Sequence, residues 1–377
     1  MTRIPLDQEY LKRTLLSLLN IHSPSGYTDQ IVHFVGHELQ DLGITYNVTR
    51  RGAIRATLEG RRNSCDRAIL AHVDTLGAMV RRLKPNGRLS VAPVGSWSSR
   101  FAEGGRVTIY RDKGPARGTV LPMQSSGHAF GDGVSSQATD WGHVEVRVDE
   151  IVGNAQSLRA AGFRVGDFVA FDTVAELSGS GFINARHLDD KAGVAALLTA
   201  AKGIVSARVD IPVDCHLIFT ISEEVGSGAS SAVYGDVAEM VVVDIAPVAP
   251  DQNATEFGVT IGLMDQTGPY DYHLSRKLIN LCDQNHISME TDVFKFYRSD
   301  SASAIEAGND ARTALVCLGV DASHGHERTH IDSLGAVADL IALYVQSEPT
   351  FSRDKDDLST LHGFPHQPER DVIQIKT

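Results

Sequence analysis

Cysteine is scarce and scattered in this 377-residue chain: Cys65, Cys215, Cys282 and Cys317, with no CxxC pair. That excludes a disulfide-stapled secreted scaffold and a zinc ribbon, and the four read as reduced core thiols of a cytosolic protein. Aromatic residues make up only 6% of the chain, and 35 basic residues face 47 acidic ones for a net charge of −12. No basic stripe offsets that balance, so phosphate backbones are repelled and nucleic acid is not an expected partner. Uninterrupted apolar runs fall short of the ~18 residues that a membrane span requires, and no internal repeat is visible. The opening stretch MTRIPLDQEYLKRTLLSLLNIHS has acidic residues ahead of a short leucine cluster and no small-residue cleavage site. Leu11, Leu15 and Leu18 fall at i, i+4 and i+7, so it reads as an amphipathic helix rather than a signal peptide. A soluble, cytoplasmic protein with no membrane partner is expected.

What the chain does have is length and apolar content. At 42% hydrophobic it can bury a sizeable core, and its length suggests two domains. Residues 28–42 place Ile31, Val35, Leu39 and Leu42 on one helical face, between a Thr28 cap and a Gly43 stop. Strand-like runs follow, ending in RAILAHV. Between 83 and 178 the texture changes, as Asn86-Gly87, Gly104-Gly105 and Gly131-Asp132-Gly133 punctuate short β-prone runs such as RVTIY, HVEVRV and DFVAF. Beyond 179 helices alternate with continuous apolar strands: a helix from Asp190, then HLIFTI, a Ser/Gly loop and helix, MVVVDI, a helix near 271–284, TALVCLGV, and a helix from Ser333. This rhythm predicts an α/β fold with a sheet covered by helices on both faces. The predicted organisation is a discontinuous α/β domain (1–82 and 179–349), an inserted β-rich domain (83–178) and a loose tail (350–377).

Five polar clusters sit at the ends of predicted strands or in the turns after them, where open α/β sheets build their sites. His72 and Asp74 share one side of a strand end, and the carboxylate can orient the imidazole; a turn histidine beside a solvated aspartate fits the same letters. Asp189 and Asp190 open a helix, either as caps or as a carboxylate bridge between two cations. Glu223 and Glu224 follow HLIFTI directly, and two acids at the mouth of a buried strand are costly unless paired or bound to metal. Asp244 ends a run of valines. The fifth cluster is Ser323-His324-Gly325-His326-Glu327-Arg328-Thr329-His330.

Read literally, residues 326–330 are HExxH, in which two imidazoles one helical turn apart hold zinc and the glutamate is the base. That zincin reading needs a helix at 326–330, although Gly325 precedes it and the helix-start signal at Asp332-Ser333 comes after. Its third ligand would be Glu348, and it leaves the other four clusters without a role.

Taken together, AHVDTLGAMV, NARHLDDKAGVAALL, FTISEEVGSGAS, VVVDIAP and RTHIDSLGAV resemble, in order and spacing, metallopeptidase family forty-two. These are the tetrahedral-particle (TET) aminopeptidases, of the clan that includes aminoacylase-like enzymes. The stretches GGRVTIY, KGPARGTVLP and AGFRVGDFVAF resemble the family's β-rich dimerisation domain. The resemblance implies two divalent ions per chain, Zn or alternatively Co or Mn. His72 and Asp244 would hold one, Glu224 and His330 the other, with Asp189 bridging. It further implies Glu223 as general base beside a bridging hydroxide, Asp74 orienting His72, a cis Asp189–Asp190 peptide, and a homo-oligomer, a dimer that assembles into a dodecamer.

Three positions depart from the family pattern: Thr75 where Glu is common, Lys191 where Arg is common, and Tyr297-Arg298-Ser299-Asp300-Ser301 in place of Gly-Thr-Asp-Ala. Arg298 there fits either a surface arginine or a receiver for a substrate carboxylate or carbonyl oxygen. These changes resemble a bacterial subgroup associated with the N-acetylglutaminylglutamine amide osmoprotectant system, whose substrate has a blocked amine. The expected activity is aminopeptidase action on short peptides. The alternative on the same ions is a deacylase or dipeptidase acting on blocked or amidated dipeptides. A catalytically dead scaffold would lack one of these groups, and all are present.

Overall fold

The computed structural model describes residues 2–356 and 360–368. Among them, twelve strands form one mixed sheet and six more close a separate barrel. The centre of the sheet is parallel, in the order Val213–Thr220, Arg62–His72, Val237–Val248, Arg312–Asp321. These are the near-continuous apolar runs of the sequence, and they are apolar because both faces are covered. Ile54–Leu58 and Val259–Asp265 flank them antiparallel.

Helices Gln8–Leu19, Leu188–Ala207 and Ile331–Gln346 pack on one another against the sheet. Leu188–Ala207 is apolar nearly all round and buried along most of its length, as a central core helix must be. The short helix Asp300–Glu306 packs against Val237–Val248 and Arg312–Asp321, and its Asp300 accepts from Thr220 Oγ1 at 2.6 Å. The register pairs Leu70 with Val242. His72 and Asp244, two residues further along each strand, therefore point to the same side at the carboxyl ends. That is where the sheet gathers its polar groups.

The inserted domain is a closed barrel in the order Gly77–Leu83, Leu89–Val94, Val144–Val148, Gly114–Pro122, Arg106–Arg111, Phe168–Phe171. It has its own core of Val80, Val91, Val107, Ile109, Val146 and Phe171, and closure leaves no unpaired strand edge. The barrel starts at Gly77 and not at 83, because GAMVRRL pairs with barrel strands on both sides. The helix expected after the Ser/Gly loop is a single 3-10 turn, Ala229–Ser231. The tail is docked as far as 356: Ser352–Lys355 is a 3-10 turn, Arg312 donates to Asp354, and Phe351 packs edge-on against His273. The part of the expected loose tail at 357–359 and 369–377 lies outside the described residues. No helix among those described is long and apolar enough to cross a membrane.

Candidate active site

His72 ends its strand with both ring nitrogens placed. Nδ1 lies 2.9 Å from the Asp74 carbonyl, which fixes the tautomer, and Nε2 faces Asp189 Oδ1 at 3.0 Å. Asp189 lies beyond the strand Phe182–Ala185, after the left-handed turn at His187, and its peptide with Asp190 is cis. Its second oxygen, Oδ2, is 3.4 Å from His324 Nε2. Glu224 Oε2 is 3.8 Å from that same nitrogen, and Glu223 Oε2 is 3.9 Å from His72 Nε2.

Two groups of ligand atoms result. One atom each from His72, Asp189 and Asp244 lies within 4.8 Å of the others, and the same holds for Asp189, Glu224 and His324. Asp189 belongs to both, presenting one oxygen to each imidazole.

The Asp74 side chain does more than face His72. It accepts from the backbone N–H of Glu223 at 3.1 Å, with Glu224 N at 3.4 Å and Ser25 Oγ at 2.5 Å on its other oxygen. One buried aspartate therefore shapes the turn that presents both glutamates, while its carbonyl holds the imidazole.

The second group contains His324 in place of the expected His330. His330 is excluded by its own bonds: Nε2 donates to the Ser180 carbonyl at 2.8 Å and Nδ1 accepts from Asp332 N at 3.2 Å. No lone pair remains for an ion, and the ring packs against Phe182 and Phe257. His324 has the opposite arrangement. Its Nδ1 donates to the Ser96 carbonyl at 3.2 Å, so a loop on the barrel side frees Nε2 for the site. A positional signal was present in the sequence: His324 follows the strand end Asp321 by three residues, as Glu223 follows Thr220.

The zincin alternative fails on backbone conformation. Glu327–His330 is a strand paired antiparallel with Phe182–Ala185, so residues 326 and 330 are not one helical turn apart. Glu348 is engaged by Arg62 and Arg61.

The charges suit cations. Burial raises Glu223 and Glu224 well above the ordinary carboxylate range. Burial and repulsion from Asp189 push Asp244 up to about 7. Burial also works against Asp189, but hydrogen bonds from His324 and His72 pull it below the usual range. Burial opposes charging of both imidazoles, yet their acidic partners win: His72 is raised well above its usual value and His324 to about 10. Lys191 offers no compensation, since burial lowers it to about 7 and its amine donates to the Ile21 carbonyl. Without protons or metal ions these acids repel one another. Two imidazoles and three carboxylates are a donor set that Zn, Co and Mn all accept.

A cleft of about 1130 Å³ opens over the site. Its walls include Trp97 and Phe101 from the barrel side, Pro247 from the sheet, Pro250 from the turn after it, and Phe294 to Arg298. Arg298 stands in that wall, where Nη1 and Nη2 both hold Glu306. Tyr297, another cleft residue, carries a buried hydroxyl beside Asp244.

Residues 52–340 match the family model described as M42 glutamyl aminopeptidase. This chain belongs to the M42 peptidase family. The M42 chain is 36% identical to "Putative aminopeptidase YhfE" of Bacillus subtilis (strain 168) over 348 residues, covering 92% of this chain and 99% of that one. Its fold superposes on aminopeptidase APDkam598 from the archaeon Desulfurococcus kamchatkensis with a TM-score of 0.82, at 18% identity, over 94% and 98% of the two chains. The TET1 peptidase of Pyrococcus horikoshii, described as assembling into a tetrahedron or a large octahedral shell, gives 0.77 at 21% identity over 89% and 99%. Family membership makes this M42 chain a peptide-bond hydrolase of aminopeptidase type.

Proposed function

We propose that this M42 peptidase removes the N-terminal residue of short peptides with two divalent metal ions, most simply zinc. The observation that carries the reading is Asp189, whose two oxygens face separate imidazoles 3.0 and 3.4 Å away. His72, Asp189 and Asp244 would hold one ion, and Asp189, Glu224 and His324 the other. Bound there, the ions supply Lewis-acid polarisation of the scissile carbonyl and a nucleophilic water at neutral pH.

The chain's own groups do the rest. Glu223 lies in the cleft, outside both ligand groups, with its carboxyl raised by burial. A carboxylate so placed takes the proton of the attacking water and delivers it to the departing amine. Asp74 holds Glu223 and Glu224 in register through their backbone N–H groups. The neutral α-amine of an unblocked peptide end is a nitrogen donor that a cation held at this floor would accept, and a blocked end is not, which favours a free terminus. A guanidinium has five N–H donors, so Arg298 keeps some for a substrate carbonyl even while gripping Glu306.

Replacement of Glu223 by Gln tests the reading. It is expected to lower kcat at least ~10²-fold while both ions stay bound; full activity would end the case for Glu223. Free-amine and N-acylated dipeptides compared side by side decide substrate type. Rapid hydrolysis of the acylated peptide with the free one untouched would favour the deacylase alternative. By extension from the TET1 dodecamer we propose a homo-oligomer, a dimer or a dodecamer, and the four free cysteines support a cytoplasmic location. Light scattering on the purified chain reads its mass directly.

A further inference from the structure

Glu327, the central acid of the HERTH run, touches neither group of ligand atoms, yet it is 1% exposed at the start of its strand. A buried carboxylate is costly unless hydrogen bonds satisfy it, and backbone donors satisfy this one. Oε2 accepts from Leu188 N at 2.6 Å and Asp189 N at 3.2 Å, while Oε1 accepts from His324 N at 2.9 Å. One side chain thus ties together two chain segments more than 130 residues apart in sequence, each delivering a ligand of the second ion.

Both segments reach the site through conformations that L residues rarely adopt. His187, just before Leu188, has φ +67°, and Ala322 and His324 have φ +57° and +66°. Such left-handed turns persist at non-glycine residues only where the surroundings over-determine them. Glu327 bonds both turns at once, so the Asp189-to-His324 separation is set through its two oxygens.

We propose that Glu327 is a positioning residue for the second ion, holding Asp189 and His324 at ligating separation without contacting the ion itself. This rests on the two-ion reading above. His72 and Asp244 make no hydrogen bond to Glu327, so the first ion depends on it only through Asp189. An amide in its place offers one accepting oxygen and turns N–H groups toward an N–H donor, so one of the two turns loses its anchor. Partners that orient metal ligands from outside typically matter about 10- to 100-fold in affinity.

The test is zinc titration of the full chain, stripped and reloaded in competition with a chromophoric chelator, for wild type and Glu327→Gln. Expected is a wild type with two tight ions, and a variant in which one ion stays within about threefold while the other weakens ~10- to 100-fold. The cobalt-loaded variant is expected to show an altered visible spectrum for the weakened site alone. Both ions bound with wild-type affinity, or both weakened equally, would overturn the proposal. Activity lost with both ions intact would overturn it too, since that is the behaviour of a catalytic base. If Glu327→Gln does not fold, Glu327→Asp, which keeps the charge but shortens the reach, is expected to weaken the same ion, and unchanged affinities there overturn the proposal. Fewer than two ions in the wild type would instead overturn the two-ion reading, whatever the variants do.

Discussion

Two histidines six residues apart have opposite roles, and the difference lies in what each nitrogen already holds. His324→Ala removes an imidazole whose Nε2 faces Asp189 and Glu224. The expected result is one ion lost per chain and hydrolysis down at least ~10²-fold, read by metal analysis and kcat. His330→Asn is expected to keep both ions and activity within about threefold, while costing about 1–3 kcal/mol of stability from the orphaned Ser180 carbonyl and Asp332 N–H. A reversed outcome would restore His330 as the ligand. The cluster of three histidines between Ser323 and His330 was visible in the sequence, as were His72, Asp189, Glu223, Glu224 and Asp244. Which imidazole enters the site was not. It turns on left-handed backbone at Ala322 and His324, residue types that do not announce such turns as glycine does.

The parallel strands were the most legible elements, because burial on both faces writes them as unbroken apolar runs. Val259–Asp265 and Met289–Val293 were missed: each carries polar residues and neither borders the five clusters that drew attention. The barrel boundary was misjudged because GAMVRRL follows its predecessor strand after only four residues, with no composition shift to mark the break. Close strand packing is itself testable. Gly319 sits in Arg312–Asp321 where a Cβ would come within 2.0 Å of the Thr255 carbonyl oxygen, a backbone atom with no rotamer to yield. Gly319→Ala is expected to destabilise by at least about 1–3 kcal/mol, measured by denaturant unfolding of the metal-loaded protein. An unchanged midpoint would show that the strand and the 255 loop separate readily.

For the molecule as a whole, the buried acids tie stability to pH and to metal. In the metal-stripped protein Asp244 holds its proton up to about pH 7, whereas the unfolded chain releases it near its ordinary value of 3.8. Between those values the folded state binds more protons, so stability falls as pH rises. His324, raised to about 10, works the same way: its contribution is full below 6.5 and is lost toward 10. Asp189, held low, matters only in strong acid. The stripped protein is therefore expected to lose Tm steadily from pH 5 to 9. Ions replace those protons, so the Tm gain on adding zinc is expected to grow between pH 5.5 and 8. A gain that shrinks over that interval would contradict the assignment of these acids as ligands.

The carbonyl of Ser96 that steers His324 belongs to the loop following a barrel strand, not to the sheet that supplies the other ligands. Hydrolysis is therefore under remote custody: whatever loosens the barrel, whether heat, proteolytic nicking or a partner gripping its outer wall, lets one imidazole swing free while the remaining donors stay in place. In a slow temperature ramp, catalytic output should fade before the α/β body melts, and a binder raised against the barrel would act as an inhibitor that never enters the cleft.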